Sequence, residues 1–350
     1  MPKFNFEATG VGSVPFQDPK AACRLIFDDF PAIPFWPQLP RRSFLENMYV
    51  QFSEKIPGLV LDEKNKTIHI DTSRVASEIE EIYRKYLESE LEFFSVSKPY
   101  AAGLYEFIEI LKIPPSETKF VKGQITGPIS YSLFLTDQNK RAVIYDKDLF
   151  EIITKILSMK ARWQARKLKK LFAKVIIFID EPYLVSVGSS FVNIDMEAAS
   201  ARLDEVISAI KQEGALVAVH CCGNTDWSFL LKRGIDILNF DAYNFMKEFS
   251  LYIADIKNFL SNGGTIAWGM VPSSDAISGE TKKTLAEKVR SAIKLLTDKG
   301  IREDSISSII TPSCGVGSLG EDIAIKVLES AKNLSCQLRK KYGIKWMKNI

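Results

Sequence analysis

The chain has 350 residues, of which 46% are hydrophobic, 25% charged and 11% aromatic, a composition that excludes intrinsic disorder. The 46 Lys and Arg residues nearly balance the 43 Asp and Glu residues, and a net charge of +3 provides no electrostatic basis for nucleic-acid binding. The chain shows neither the apolar core of a signal peptide nor the roughly 20 apolar residues of a membrane span, so we expect a cytoplasmic protein without membrane contact. Five Cys and only two His leave few candidates for catalysis or metal binding.

Short apolar runs alternate with longer amphipathic stretches along the chain. The runs are β-branched or aromatic and too short to be helices, which is typical of parallel strands buried on both faces. The predicted strands cover residues 4–11, 91–97, 119–125, 174–179, 215–219, 236–240, 265–269 and 305–310. A helical stretch follows each of them, for example at residues 74–90 after the N-cap sequence Asp71-Thr72-Ser73.

Eight such units in roughly 340 residues predict an α/β fold, a (β/α)8 TIM barrel that forms a single catalytic domain over residues 1–350. The competing architecture is a doubly wound open sheet, but no Gly-x-Gly-x-x-Gly fingerprint follows any strand. The first βα unit is enlarged, because residues 31–40 contain four prolines and cannot be helical. Residues 59–61 and 67–70 then predict a β-hairpin. We expect residues 31–71 to be an excursion over one end of the barrel.

Functional groups of this fold collect at the carboxyl ends of the strands. His220 and Cys222 follow the fifth predicted strand, Cys314 follows the eighth, and Asp180 and Asp241 follow the fourth and sixth. Three N and S ligands with an open fourth position are typical of a catalytic Zn²⁺ site. Two thiolates and one imidazole make the metal electron-rich, which favours binding an incoming thiol as its thiolate over generating hydroxide.

These residues also have structural interpretations. A cysteine is often a small buried hydrophobe, and Asp180-Glu181-Pro182 can simply cap a helix. Gly10 and Gly12 can be turn residues, and His69 alternates with two Ile residues in the predicted hairpin, where we expect it on the surface.

Four motifs occur in order along the chain. They are Gly-Ser-x-Pro at 12–15, Thr-Gly-Pro at 126–128, Ile-Asp-Glu-Pro at 179–182 and His-Cys-Cys-Gly-Asn-Thr at 220–225. In this order they resemble the catalytic C-terminal barrel of the cobalamin-independent methionine synthases, within the wider group of uroporphyrinogen-decarboxylase-like barrels. The fourth motif is more similar to the corresponding run of the methylcobamide:thiol methyltransferases.

The resemblance implies an S-methyltransferase that binds zinc through His220, Cys222 and Cys314. Asp241 falls where the methionine synthases carry a ligand Glu, although its side chain is shorter. The resemblance also implies that Asp180 binds the α-amino group of homocysteine. A carboxylate opposite an ammonium is chemically reasonable.

The same resemblance assigns the α-carboxylate of homocysteine to Ser13 in the Gly12 turn. Two features depart from the family. The acidic residue expected after the second strand is not evident in residues 95–100, and Phe134 stands near the position of a Trp that stacks the pterin. The methionine synthases also have an N-terminal half that is absent from this sequence.

A further departure concerns the methyl donor. The loop after the seventh predicted strand reads Gly-Met-Val-Pro-Ser-Ser at 269–274, where the family has a His proposed as the proton source. Displacing a methyl group from N5 of a folate needs a general acid, whereas cob(I)alamin leaves without protonation. The resemblance, together with the missing acid, implies methionine synthesis from homocysteine, or methylation of another small thiol, with a methylcorrinoid donor and a corrinoid protein as a partner.

Several alternatives remain open at this stage. The donor can be 5-methyltetrahydrofolate, or the enzyme can be a methylcobamide:coenzyme M-type methyltransferase. A non-catalytic, zinc-stabilised barrel that binds a corrinoid or a partner would close the metal shell with Asp241 or Cys221. A porphyrinogen-type decarboxylase would need no metal and would use a basic mouth, for which Arg41 and Arg42 are candidates.

Overall fold

The structure is a computed structural model that describes residues 2–187 and 192–346. Its strands are β1 (Asn5–Ala8), β2 (Leu59–Asp62), β3 (Thr67–Ile70), β4 (Val121–Thr126), β5 (Val175–Asp180), β6 (Leu216–Cys221), β7 (Ile237–Phe240), β8 (Thr265–Val271) and β9 (Ser307–Pro312). Its helices are α1 (Pro19–Asp29), α2 (Thr72–Leu87), α3 (Ala102–Leu111), α4 (Pro128–Phe134), α5 (Lys147–Lys169), α6 (Met196–Gln212), α7 (Trp227–Leu231), α8 (Ala242–Phe249), α9 (Ile253–Ser261), α10 (Lys282–Asp298) and α11 (Glu321–Trp346). Across these two ranges, no helix combines the length and the apolar character needed to cross a bilayer.

Seven strands form one parallel sheet in the order β1-β9-β8-β7-β6-β5-β4. Strands β4, β5, β8 and β9 are buried along their whole length, as expected when helices cover one face and side chains fill the other. The fold is therefore α/β, with a curled parallel sheet and surrounding helices in a TIM-barrel-like arrangement. All but one of the predicted barrel strands correspond to β1 and to β4 through β9.

The exception is the predicted second strand at 91–97. Leu91–Phe94 forms a 3-10 helix, so the strand prediction is wrong there. Leu91 and Phe94, the residues that this turn buries, are three positions apart, which matches the repeat of a 3-10 helix. The aromatic composition of the run resembles that of a strand, but Glu92 is exposed between the buried Leu91 and Phe94, whereas the parallel strands of the sheet are largely buried.

The Pro-rich segment lies between the two edge strands of the sheet. On one side, the backbone N–H of Trp36 donates to the carbonyl of Lys122 in β4, at 3.2 Å. On the other side, the N–H of Gln38 donates to the carbonyl of Gly12, beyond the end of β1, at 3.1 Å. Residues 34–38 thus connect β1 to β4 at the place where the sequence predicts only an excursion. Prolines lack an N–H, which keeps this pairing to isolated bridges.

Strands β2 and β3 pair antiparallel, with Leu59 opposite Ile70, in the segments where the sequence predicts a hairpin. The hairpin is attached to the body of the protein through the N–H of Ile70, which donates to the carbonyl of Thr136 at 2.9 Å. Helix α2 follows directly. Its N-cap is Asp71, whose carboxylate accepts from the backbone of Ser73 at 3.0 Å, as the sequence indicates.

Candidate metal centre and adjoining cavity

The carboxyl ends of β6 and β9 bring together three side chains that carry metal-binding atoms. His220 lies in β6, Cys222 follows this strand directly, and Cys314 is two residues beyond the end of β9. The three ligand atoms, one from each residue, lie within 4.8 Å of one another. In the part of the chain that the structure describes, no other set of three His, Cys, Asp or Glu residues is arranged to hold a metal ion.

A hydrogen-bond network determines which nitrogen of His220 remains free. Nδ2 of Asn239 donates to the carbonyl of Ala267 at 2.9 Å and to Oγ1 of Thr311 at 2.8 Å, so its Oδ1 is available as an acceptor. Nδ1 of His220 therefore donates to this Oδ1, at 2.6 Å. The lone pair is then on Nε2, which is buried and has no hydrogen-bond partner. A neutral, oriented imidazole with a free Nε2 is ready to bind a metal.

The two cysteines influence each other. A hydrogen bond from Cys314 is the main reason why the pKa of the Cys222 thiol is lowered, and His220 acts in the same direction while burial opposes it. The same contact raises the pKa of Cys314. The loop after β8 holds Cys314 in place, because Ser273 Oγ donates to the carbonyl of Cys314 at 2.8 Å and accepts from its N–H at 3.1 Å.

This donor set fits zinc. One imidazole nitrogen and two thiol sulfurs are typical Zn²⁺ ligands, and three protein ligands leave a position for a substrate atom. The buried, unpartnered Nε2 of His220 is the structural observation that supports the fit, because a buried polar atom without a partner is costly unless something binds it.

Asp241 lies outside the group of three ligands. It is the N-cap of α8, and both of its carboxylate oxygens accept from Asn244, one from the backbone at 3.0 Å and one from the side chain at 2.7 Å. Cys221 is also engaged elsewhere, since its buried Sγ donates to the carbonyl of Gly223 at 3.5 Å. Burial raises the pKa of Cys221 to about 12, which keeps it a neutral thiol.

A cavity of about 320 Å³ adjoins the three ligands. Asp180 is on its wall, nearly buried, and its Oδ1 has no hydrogen-bond partner. Burial raises the pKa of Asp180 to about 6, although the neighbouring His220 and Lys122 act in the opposite direction. An unpartnered carboxylate oxygen at this position is suited to receive a cationic group of a ligand.

Ser13 also lines the cavity, and it is tied to the loop that carries Cys314. Its backbone carbonyl accepts from the N–H of Val316 at 2.9 Å, and its Oγ accepts from the N–H of Gly317 at 3.4 Å. The structure thus places Ser13, Asp180 and the three candidate ligands around one cavity.

Glu181 has a structural function that is distinct from that of its neighbour Asp180. Its carboxylate oxygens accept from the backbone N–H groups of Ile129 and Ser130, at 3.0 and 2.7 Å, where α4 begins. A side chain at Gly127 would lie 2.2 Å from the Glu181 carboxylate. The helix-capping interpretation therefore holds for Glu181, whereas Asp180 is on the cavity wall.

Sequence reasoning missed Glu46. This residue is fully buried and lines the cavity; its Oε1 pairs with Arg42, and its Oε2 has no hydrogen-bond partner. It follows the Pro-rich segment and adds an acidic residue to the cavity wall, whereas the sequence pattern led us to look for one after the predicted second strand. The pattern Ser43-x-x-Glu46, which is typical of the start of a helix, is the sequence signal by which Glu46 could have been found. In the structure, Ser43 caps a short 3-10 helix that ends at Glu46.

Two other sequence assignments concern aromatic and imidazole groups. His69 lies in β3 opposite Val60, within the hairpin. Phe134, at the end of α4, stacks on Tyr49 with ring centroids 4.0 Å apart and an interplanar angle of 10°. One face of the Phe134 ring is therefore already covered by this chain.

No protein-family model matches the chain, and no curated protein matches it. Among solved structures, it is similar to a B12-independent methionine synthase from Shewanella sp. W3-18-1 in complex with selenomethionine. The identity is 22%, the match covers 67% of each chain, and the TM-score is 0.47. A likeness at this level does not establish a family.

Proposed function

We propose that this protein is a zinc-dependent thiol methyltransferase that transfers a methyl group from a methylcorrinoid to homocysteine. The observation that carries the proposal is the convergence of His220, Cys222 and Cys314, with the free Nε2 of His220, beside a cavity of about 320 Å³. A cavity of this size is at the lower end of small-molecule sites, which suits a compact amino-acid thiol.

The three ligands would hold zinc, which when bound supplies a positive charge that lowers the pKa of a substrate thiol. The residues of the chain do the remaining work. Asn239 keeps the His220 ring in one tautomer and orientation through its hydrogen bond to Nδ1. Ser273 holds the backbone of Cys314 through two hydrogen bonds.

The polar groups of the cavity are complementary to the two ends of an amino acid. Asp180 and Glu46 each have one carboxylate oxygen without a partner, and we assign them to the α-ammonium. The Ser13 hydroxyl, with the N–H groups of its turn, is assigned to the α-carboxylate. Arg42 is already paired with Glu46, so it does not give the cavity the basic character that a porphyrinogen-type decarboxylase would need.

The choice of donor depends on proton supply. The chain has two His residues; His220 belongs to the metal site and His69 lies in the hairpin. Ser273, in the loop after β8, is hydrogen-bonded to the backbone of Cys314. No imidazole is therefore left as a general acid for a folate leaving group, and a corrinoid leaving group does not need one.

The test begins with metal content and a spectroscopic probe. We expect about one zinc per chain, and in the cobalt-substituted protein we expect homocysteine to intensify the thiolate-to-cobalt charge-transfer bands. Cys222→Ser should lose the metal, whereas the matched control Cys336→Ser, which alters an exposed cysteine, should keep it. A metal shell that does not respond to any added thiol would favour the non-catalytic barrel and refute the proposal.

The donor is decided by a second assay on the zinc-loaded protein. Methylcobalamin and 5-methyltetrahydrofolate are each offered with homocysteine, and with coenzyme M as a competing thiol. We expect methyl transfer from methylcobalamin to homocysteine, and loss of this transfer after chelation. Turnover with the folate alone would assign the other donor and would show that the proton argument is wrong.

A further inference from the structure

The Pro-rich segment places one more polar side chain at the cavity than the proposed function uses. Gln38 is the residue of this segment whose backbone pairs with Gly12, and its side chain lines the cavity while being 4% exposed. A Cβ added to Gly12 would lie 2.6 Å from Oε1 of Gln38, so this oxygen is packed against the turn that carries Ser13.

The orientation of the Gln38 amide is determined by a buried relay. Nε2 of Gln51 donates to the carbonyl of Tyr100 at 2.7 Å, and a carbonyl can only accept. Oε1 of Gln51 is therefore the acceptor that remains, and Nε2 of Gln38 donates to it at 2.8 Å. Oε1 of Gln38 is left as an acceptor, and none of the residues in the described ranges donates a hydrogen bond to it.

We propose that the side-chain oxygen of Gln38 recognises the α-ammonium of the thiol substrate, together with Asp180 and Glu46. This inference rests on the proposed function and extends it to substrate specificity. An ammonium group has three N–H donors, and the two carboxylates offer two unpartnered oxygens. Gln38 supplies the third acceptor as a neutral group, which avoids adding another negative charge beside the Ser13 turn where the substrate carboxylate is assigned.

The experiment compares the binding of two thiols to the zinc-loaded full-length protein by isothermal titration calorimetry. Homocysteine carries the α-amino group, and 4-mercaptobutyrate is the same thiol acid without it. The variant Gln38→Met keeps the size of the side chain but removes the acceptor. Gln51→Met keeps Gln38 but removes the anchor of its amide. Gln138→Met, which alters an exposed glutamine that contacts Thr72, is the matched control.

We expect the wild-type protein to prefer homocysteine by at least about tenfold, the value of one hydrogen bond to a charged group. Gln38→Met should reduce this preference about tenfold by weakening homocysteine alone, and Gln51→Met should act in the same direction. Gln138→Met should leave both affinities within twofold. Thermal melting shows whether each variant is folded. If either Gln38→Met or Gln51→Met fails to fold, the other of the two tests the role of Gln38.

The remaining outcomes separate this inference from the proposed function. If both thiols bind in a zinc-dependent way but Gln38→Met weakens them equally, or the wild type does not distinguish them, the role of Gln38 is refuted and the thiol site survives. If neither thiol binds the zinc-loaded wild type, the proposed function itself is refuted, and the assignment of Gln38 is refuted with it.

Discussion

Replacing Asn239 by leucine should weaken zinc binding without changing any residue that touches the metal. Leucine is similar in size but cannot accept a hydrogen bond, so Nδ1 of His220 loses the partner that it now has at 2.6 Å. The imidazole can then exchange tautomers, and a protonated Nε2 cannot bind a metal. Loss of such a supporting partner typically reduces metal affinity about 10- to 100-fold, which is about 1.4 to 2.7 kcal/mol.

The aspartate variant separates metal binding from folding. Asn239→Asp keeps an oxygen for Nδ1 of His220, but it places an acceptor against the carbonyl of Ala267, where an N–H now donates at 2.9 Å. This variant should retain zinc affinity while losing about 1 to 3 kcal/mol of folding free energy. Asn239→Leu loses the donors to Ala267 and Thr311 as well as the contact with His220, so it should lose folding free energy and zinc affinity together.

Zinc affinity is measured by competition with a chromophoric chelator at constant pH, and stability by thermal unfolding of the metal-free protein. Asn262→Leu, at an exposed asparagine near the end of α9, is the control for a change of side-chain type. A folded Asn239→Leu protein that binds zinc within twofold of wild type would refute the argument that Asn239 prepares His220.

Three further predictions concern Asp241, Lys122 and Gly10. Asp241→Ala removes the N-cap of α8, which accepts from the backbone of Asn244, and should lower the stability measured in thermal melts by about 1 kcal/mol. If the variant instead binds less than about one zinc per chain, Asp241 is a metal ligand. Burial lowers the pKa of Lys122 to about 7, so the free energy of unfolding should rise between pH 7 and 10.5, by at most about 1.4 kcal/mol per pH unit, and fall again as the pH is lowered. Lys122→Met should abolish this slope, and a pH profile of stability that the substitution leaves unchanged would contradict the lowered pKa of Lys122. Gly10→Ala places a Cβ 2.3 Å from the Phe35 ring, so it should destabilise the protein by about 1 to 3 kcal/mol, measured by denaturant unfolding. Unchanged stability would mean that the Pro-rich segment is not packed against the end of β1.

The sequence predicted that His220, Cys222 and Cys314 lie close together, and the structure brings them together, because their signal is local. His220 and Cys222 are at the end of a short β-branched run, and such a run is recognised from neighbouring residues alone. Cys314 follows another run of the same kind. Parallel strands in one sheet bring their carboxyl ends to the same edge, so a correct strand prediction is enough to bring these residues together.

The cavity wall was less predictable, because it depends on contacts between distant segments. Residues 34–38 pair with Lys122, more than 80 positions away, and their prolines remove the alternating pattern by which a strand is recognised. Without that pairing, the acidic group of Glu46 could not be assigned to the cavity. The mistaken strand at 91–97 had the composition of a strand but the burial of a 3-10 helix.

The sequence by itself determined the residue types and the order of the candidate metal ligands, the α/β rhythm, and helix starts such as Asp71, because these depend on short-range spacing. Tertiary structure alone decided which oxygens remain unpartnered. Asp241 became an N-cap, Asp180 and Glu46 kept one free oxygen each, and the amide of Asn239 was oriented by Ala267 and Thr311. A side chain's chemical function depends on which of its hydrogen bonds are already made, and those partners come from segments far apart in the chain.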